Sequence, residues 1–286
     1  MAALGSWLDA RAAGGRWLLR IEDLDQLRNQ PGAEQAICAA LHAHGLTWDG
    51  TLVRQSERLA LYQEALARLC AHGHAYPCAC SRREVEEAGG RYPGTCREGL
   101  AEGRPVRAWR MRTDGPAVTF RDRRRGLQQD LVAASTGDVV LRRADGIFAY
   151  QLAVVVDDGV QGITDVVRGA DLYESTARQC LLQSLLGLPQ PRYLHLPLAL
   201  GANGQKLSKQ NRAPALDPAQ ASENLVQALQ HLGQPLPEDR WQQPASWSVE
   251  AWLDWAVTHW APDRIPLAAP QADCSTAGQG QGQAPA

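Results

Sequence analysis

The stretch Arg16-Trp17-Leu18-Leu19-Arg20-Ile21-Glu22-Asp23-Leu24-Asp25 decides how this chain folds. Its first six residues form a short apolar run that suits a buried strand, and the run ends on carboxylates. Acidic residues at the carboxyl end of a parallel strand occupy the edge where open α/β sheets bind ligands. For Asp23 and Asp25 ordinary surface capping is the favoured reading. On the amino-terminal side, Ala3, Leu4, Trp7, Leu8 and Ala12 recur at helical spacing until Gly14-Gly15 stops the pattern. On the other side, residues 31–45 and 56–72 read as packing helices, with Ile37, Leu41 and Leu46 lining one face and Leu59, Tyr62, Leu66 and Leu69 another. Strand followed by helix, repeated after residue 146, predicts an α/β domain with a parallel sheet. Such sheets normally begin with a strand that feeds the first helix, whereas Met1 opens on the helix itself, so either the fold is unusual or the start as written lies downstream of the true one.

Composition narrows the function. The 286 residues can fill one large domain or two modest ones, and a net charge of −2 supplies no overall field for a polyanion, so any nucleic-acid contact must be local. Seven cysteines, an odd number in a chain of this length, read as reduced thiols in the cytoplasm. No apolar run reaches membrane-spanning length and the N-terminus lacks a signal-peptide succession, so a soluble, unexported protein is expected.

From His72 to Arg97 the texture changes from apolar helix to turn residues, and Cys78, Cys80 and Cys96 fall within nineteen positions. Three thiols among Pro and Gly turns suit a tetrahedral zinc site that stabilises a lobe with little core of its own; free thiols are the competing reading. For a fourth ligand the nearby candidates are His72, His74 and Tyr92, and the residues alone favour a histidine. Residues 104–145 hold short alternating runs that predict β-structure, and Arg121-Asp122-Arg123-Arg124-Arg125 is the densest positive string, a solvated face or a local RNA-backbone contact.

Residues 146–186 return to α/β texture. Val154 to Val156 fit strand or helix equally, Ile163 to Val167 read as a strand, Arg168 to Asp171 follow at its ligand-binding edge, and Leu172 to Leu186 read as a helix. In Ala202 to Arg212, A-N-G-Q-K-L-S-K-Q-N-R, stand Lys206 and Lys209, the only lysines of the chain. Every other basic side chain is arginine, so a loop that keeps two lysines fits a site needing compact, mobile ammonium groups for a phosphate-bearing ligand. Trp241, Trp247, Trp252, Trp255 and Trp260 read as helix core rather than a base-stacking platform, and residues 267–286 as disordered.

Taken together, R-I-E-D-L-D (20–25), C-A-C with Tyr92 and Cys96, Y-Q-L-A-V-V-V-D-D (150–158), I-T-D-V-V-R-G-A-D-L (163–172) and K-L-S-K-Q (206–210) resemble the class I glutamyl-type tRNA synthetases, in the family's own order. The likeness is greatest to the short branch without an anticodon-binding region, because only 77 residues (286 − 209) follow Lys209. The resemblance implies a class I synthetase Rossmann-type parallel sheet in two parts (1–72 and 146–200), an inserted acceptor-type zinc lobe (73–145), and a lysine loop with a helical domain (201–266). It implies activation of L-glutamate by ATP, accompanied by Mg2+, and transfer to the queuosine base of the tRNA(Asp) anticodon loop by a monomer. By resemblance Glu22 takes the α-ammonium, Tyr150 hydrogen-bonds the amino acid, Arg168 holds a carboxylate in its planar fork, Lys209 contacts ATP with Lys206 beside it, and zinc is held by Cys78, Cys80, Tyr92 and Cys96. The family's first ATP motif, of the type S-P-T-G-x-L-H-x-G, is expected upstream of Met1, and a protein of this extent without it is expected to be impaired. The competing functional readings are a zinc-containing RNA-binding remnant and a fragment of a conventional glutamyl-tRNA synthetase.

Overall fold

The computed structural model describes residues 1–200 and 216–267; Lys206, Lys209 and the tail from 268 onward lie outside the described residues. In chain order the elements are α1 (Ala2–Ala12), β1 (Arg20–Ile21), α2 (Ala33–Ala43), β2 (Val53–Arg54), α3 (Leu59–Ala71), β3 (Ala75–Cys78), α4 (Arg82–Glu87), β4 (Ala108–Met111), β5 (Val118–Asp122), β6 (Gly126–Asp130), α5 (Val132–Ser135), β7 (Val139–Arg142), α6 (Tyr150–Gln161), β8 (Asp165–Gly169), α7 (Ser175–Leu185), β9 (Arg192–Leu196), α8 (Ala221–His231) and α9 (Val249–Thr258). Three sheets organise them: a parallel pair β1-β2, an antiparallel sheet β3-β4-β7, and a four-stranded sheet in the order β6-β5-β9-β8. In the last, β5–β6 is antiparallel while β5–β9 and β8–β9 are parallel.

The expected strand at 16–21 shortens to Arg20–Ile21, because its first residues make other bonds: the Trp17 carbonyl accepts from Asp49 N (2.8 Å) and the Trp17 N–H donates to the Asp49 carboxylate (2.8 Å). The segment 104–145 divides between two sheets. Its first and last strands, β4 and β7, join β3, whereas β5 and β6 continue the sheet of β8 and β9, an arrangement that needs β9, for which no expectation was made. The ambiguous Val154 to Val156 lie in α6, which ends at Gly162 in the left-handed region (φ 66°). Leu152 through Asp157 are all buried there, so the helix shows no polar stripe and its period is hidden.

The two largest apolar cores among the described residues take in most of the helices. One joins α3, α6 and α7 to the β3-β4-β7 sheet through Tyr62, Leu66, Leu69, Met111, Leu141, Leu152 and Leu182. The other packs α1 and α2 against α8 and α9 around the fully buried Trp252, with Trp247 and Trp260 at its margin. The indole nitrogens of Trp252, Trp255 and Trp260 donate to Pro244 O, Pro235 O and the Asp9 carboxylate, which is core behaviour as expected. Among the described residues no helix is long and apolar enough to cross a membrane.

Candidate active site and metal centre

The carboxyl ends of β1 and β8 and the first turn of α6 bring Glu22, Arg168 and Tyr150 together. The Tyr150 phenol is pushed up in pKa by burial and by the nearby Glu22 carboxylate, against the opposing field of Arg168. Glu22 follows directly on β1, and Arg20 within that strand reaches both it (3.4 Å) and Asp158 on α6 (2.9 Å). The Glu22 side chain is 40% exposed toward the cleft, yet the protein crowding its other sides raises its carboxyl despite Arg20. Asp158 is raised for the same reason, burial outweighing Arg20. Beneath them Asp157, fully buried, accepts from Gln55 Nε2 (2.9 Å), Arg58 Nε (2.6 Å) and Tyr62 Oη (2.8 Å). An acidic face with one adjacent cation and a phenol can receive a ligand ammonium. Asp23 accepts from Ser56 N (2.8 Å) and Ser56 Oγ (2.6 Å), and Asp25 pairs with Arg28 (2.6 Å) and Arg143 (2.8 Å). Neither caps the turn that follows it: Asp25 precedes the 3-10 turn Gln26–Arg28 without a side-chain cap bond, and both carboxylates are taken up by these other partners.

Arg168 is buried and its guanidinium is largely engaged. Nε donates to His195 Nε2 (3.2 Å), Nη1 to Gln179 Oε1 (2.7 Å), and Nη2 to Thr176 Oγ1 (3.0 Å) and, at 3.4 Å, the Leu172 carbonyl. Counting partners among the described residues, this leaves one of the five N–H groups, on Nη1. The two-pronged grip that resemblance implies would need two, so in this arrangement Arg168 offers a ligand one hydrogen bond and its charge. Gln179 also donates to Gln151 Oε1 (2.8 Å), linking α7 to the first turn of α6.

In the lobe, β3 ends on Cys78, Cys80 follows, and the chain returns at Cys96. The three sulfurs lie within 4.8 Å of one another, with Cys80 and Cys96 3.7 Å apart. Tetrahedral zinc with bonds of about 2.3 Å separates its sulfur ligands by roughly 3.8 Å, so the spacing fits. The Tyr92 phenol oxygen sits 3.4 Å from Cys78 Sγ and 3.9 Å from Cys80 Sγ, and accepts from the Cys96 N–H (2.8 Å). His72 and His74 are not in the cluster: they stack on each other just after α3, and His72 Nδ1 meets the Arg68 carbonyl at 2.8 Å. The histidine favoured from the residues alone is therefore corrected; the oxygen beside the thiols is Tyr92. Burial pushes the Cys80 thiol up to about 11, and Arg110 lies over the Tyr92 ring (3.9 Å) with Nε donating to Cys78 Sγ (3.3 Å), a cation that favours thiolates.

The basic string at 121–125 does not form one surface. Arg123 pairs with Asp9 (2.6 Å), Arg124 Nε donates to the Ile265 carbonyl (2.8 Å), Arg125 covers the Tyr173 ring (4.8 Å), and Asp122 is fully buried against His195 (2.7 Å). Sequence reading missed Asp122, His195 and Gln179; the one available signal was a lone acid inside a run of arginines. Lys206 and Lys209 fall outside the described residues.

The mixed α/β fold sets an acid after β1, a phenol at the start of α6 and a guanidinium in β8 near one another, with a cluster of three thiols elsewhere; it is the fold of a class I tRNA synthetase catalytic domain. The family model "tRNA synthetases class I (E and Q), catalytic domain" matches residues 1–230. The glutamyl-Q tRNA(Asp) synthetase of Thiobacillus denitrificans is 50% identical over 93% of this chain and 89% of its own length, and that of Pseudomonas fluorescens 49% identical over 96% and 91%. The chain belongs to the glutamyl-Q tRNA(Asp) synthetase family. Two solved glutamate-tRNA synthetases, from Elizabethkingia anophelis and Elizabethkingia meningosepticum, superpose over 92% of it with TM-scores of 0.74 and 0.73 at 23% and 25% identity. The chain spans 62% of the length of each.

Proposed function

We propose that this protein activates L-glutamate with ATP to glutamyl-adenylate and transfers the glutamyl group to the queuosine base in the anticodon loop of tRNA(Asp). The observation that carries the reading is that Tyr150 at the start of α6 lies within electrostatic reach of both Glu22, which follows β1, and Arg168, near the end of β8. Glutamate has one ammonium and two carboxylates, and an acid beside a phenol with a guanidinium opposite is its complement. Glu22 receives the ammonium, Tyr150 hydrogen-bonds the amino acid, and Arg168 addresses a carboxylate through its remaining Nη1 hydrogen. The α-carboxylate then attacks the α-phosphorus and pyrophosphate leaves, with Lys209 and Lys206 the groups assigned to ATP and Mg2+ accompanying the nucleotide. The chain needs no protein nucleophile for this; positioning and charge stabilisation supply the rate. Cys78, Cys80, Cys96 and Tyr92 would hold zinc, which cross-links the lobe and takes no part in the chemistry. The protein acts in the cytoplasm as a monomer.

Glutamate-dependent ATP–pyrophosphate exchange tests the first step, and glutamate labelling of tRNA(Asp) with and without queuosine tests the second. Exchange with glutamate and labelling only of the queuosine-bearing tRNA are expected; exchange with labelling independent of queuosine would point to a conventional glutamyl-tRNA synthetase, and tRNA binding without any ATP-dependent step to an RNA-binding protein.

A further inference from the structure

His195 and Arg168 are direct partners in the parallel ladder between β9 and β8, so the sheet itself sets the two side chains next to each other. An arginine nitrogen only donates, so the 3.2 Å contact from Arg168 Nε requires a lone pair on His195 Nε2. The proton must then sit on Nδ1, which is 2.7 Å from the Asp122 carboxylate; Asp122 also accepts from the His195 N–H at 3.2 Å and from the backbone N–H groups of Arg124 and Arg125 at 2.8 Å each. Asp122 and His195 are both fully buried in their side chains, so neither can swing out to water. We propose that His195, oriented by Asp122, is the positioning residue that fixes the Arg168 guanidinium for a carboxylate ligand, and that it does so only as the neutral imidazole.

Acid reverses the arrangement. Protonated His195 carries N–H on both nitrogens, and Nε2 then faces Arg168 with a donor and a like charge. Burial already holds the imidazole below its ordinary value of 6.5, with Arg168 and Arg125 adding to that and Asp122 opposing it. The groups around His195 are Asp122 and Arg125 from β5 and its turn, Arg168 from β8, Thr176 Oγ1 of α7 at 3.2 Å from Nε2, Tyr173 edge-on at 5.2 Å, and Tyr193 of β9 stacked at 6.1 Å. Across the cleft Glu22 and Asp158 also titrate in acid, both raised by burial. Affinity for glutamate is therefore lost in two acid steps, one through the carboxylate contact of Arg168 when His195 protonates and one through the ammonium contact when the cleft acids protonate.

The inference rests on the glutamate-site reading, and glutamate affinity measured calorimetrically across pH tests it together with the histidine NMR titration of the same protein. In wild type, glutamate affinity falls in step with protonation of His195 below pH 6.5. His195→Gln, whose amide oxygen reaches toward Arg168 but does not titrate, keeps affinity near wild type at neutral pH, loses the His195 step and retains the step of the cleft acids. His195→Asn, too short for Arg168, weakens glutamate at least about tenfold while ATP affinity is unchanged. If wild type binds glutamate and its affinity is indifferent to His195 protonation, or His195→Gln and His195→Asn weaken it equally, the positioning role is overturned and the glutamate site stands. If wild type binds no glutamate at any pH, the functional reading itself fails and this inference with it.

Discussion

At the residue scale the lobe is held by a carboxylate. Asp138, fully buried, accepts a two-pronged pair from Arg97 (2.6 and 2.6 Å), the Tyr76 hydroxyl, and Thr113 through N (3.1 Å) and Oγ1 (3.0 Å). Burial works to raise its pKa, but these bonds outweigh it and hold the carboxyl below the ordinary 3.8. A depressed carboxylate contributes stability that is present above its unfolded value and is lost as acid reaches its folded value. Asp138→Asn is expected to destabilise the protein at neutral pH by on the order of 3 kcal/mol. It should also abolish the part of the acid sensitivity below about pH 4 that belongs to this group. Urea denaturation of both proteins at neutral and acid pH measures this, and an unchanged midpoint at neutral pH would contradict it. The thiols are tested at the same scale. Cys80→Ser should bring bound zinc in the purified protein close to zero, whereas Tyr92→Phe should weaken zinc retention against a chelator without displacing the three sulfurs; full zinc in Cys80→Ser would remove Cys80 from the centre.

Between elements, α1 approaches β9 closely. A Cβ on Gly5 would lie 2.6 Å from Leu196 Cδ1, and Leu196 is enclosed with Leu194, Leu232 and Ile265. Gly5→Val must therefore push α1 off the sheet, at a cost of about 1–3 kcal/mol. A lowered thermal midpoint is expected, and a wild-type midpoint would show that Leu196 has room to move. Element identity was legible where one face was polar, as in α3, whose buried Tyr62, Leu66 and Leu69 recur at helical spacing; α4, opened by the Ser81–Glu84 capping box and without a buried face, was not read from the sequence. It failed where burial was uniform. Val154 to Val156 gave no period because all sides of α6 meet protein there, and 118–130 read as part of a local β-lobe because its pairing partner, Arg192–Leu196, lies some seventy residues away.

For the whole molecule, the site was legible as far as short motifs carried it. Glu22, Tyr150 and Arg168 sit in local patterns, and the packing of β1, α6 and β8 brings Tyr150 within reach of both charged groups. Asp122, Arg168 and His195 come from three strands, and no spacing in the chain marks their meeting; only the β5-β9-β8 order does. That long-range pairing also explains why Arg168 has one hydrogen to offer where the motif implied a fork. The same topology engages Arg123 and Arg124 with Asp9 and the Ile265 carbonyl, so the Arg121 to Arg125 string is not one solvated basic face. The measurement that bears most directly on the central claim is transfer of labelled glutamate, with ATP, to tRNA(Asp) prepared with and without queuosine. The account predicts label on the queuosine-bearing tRNA alone; equal labelling of both, or labelling of neither, would contradict it.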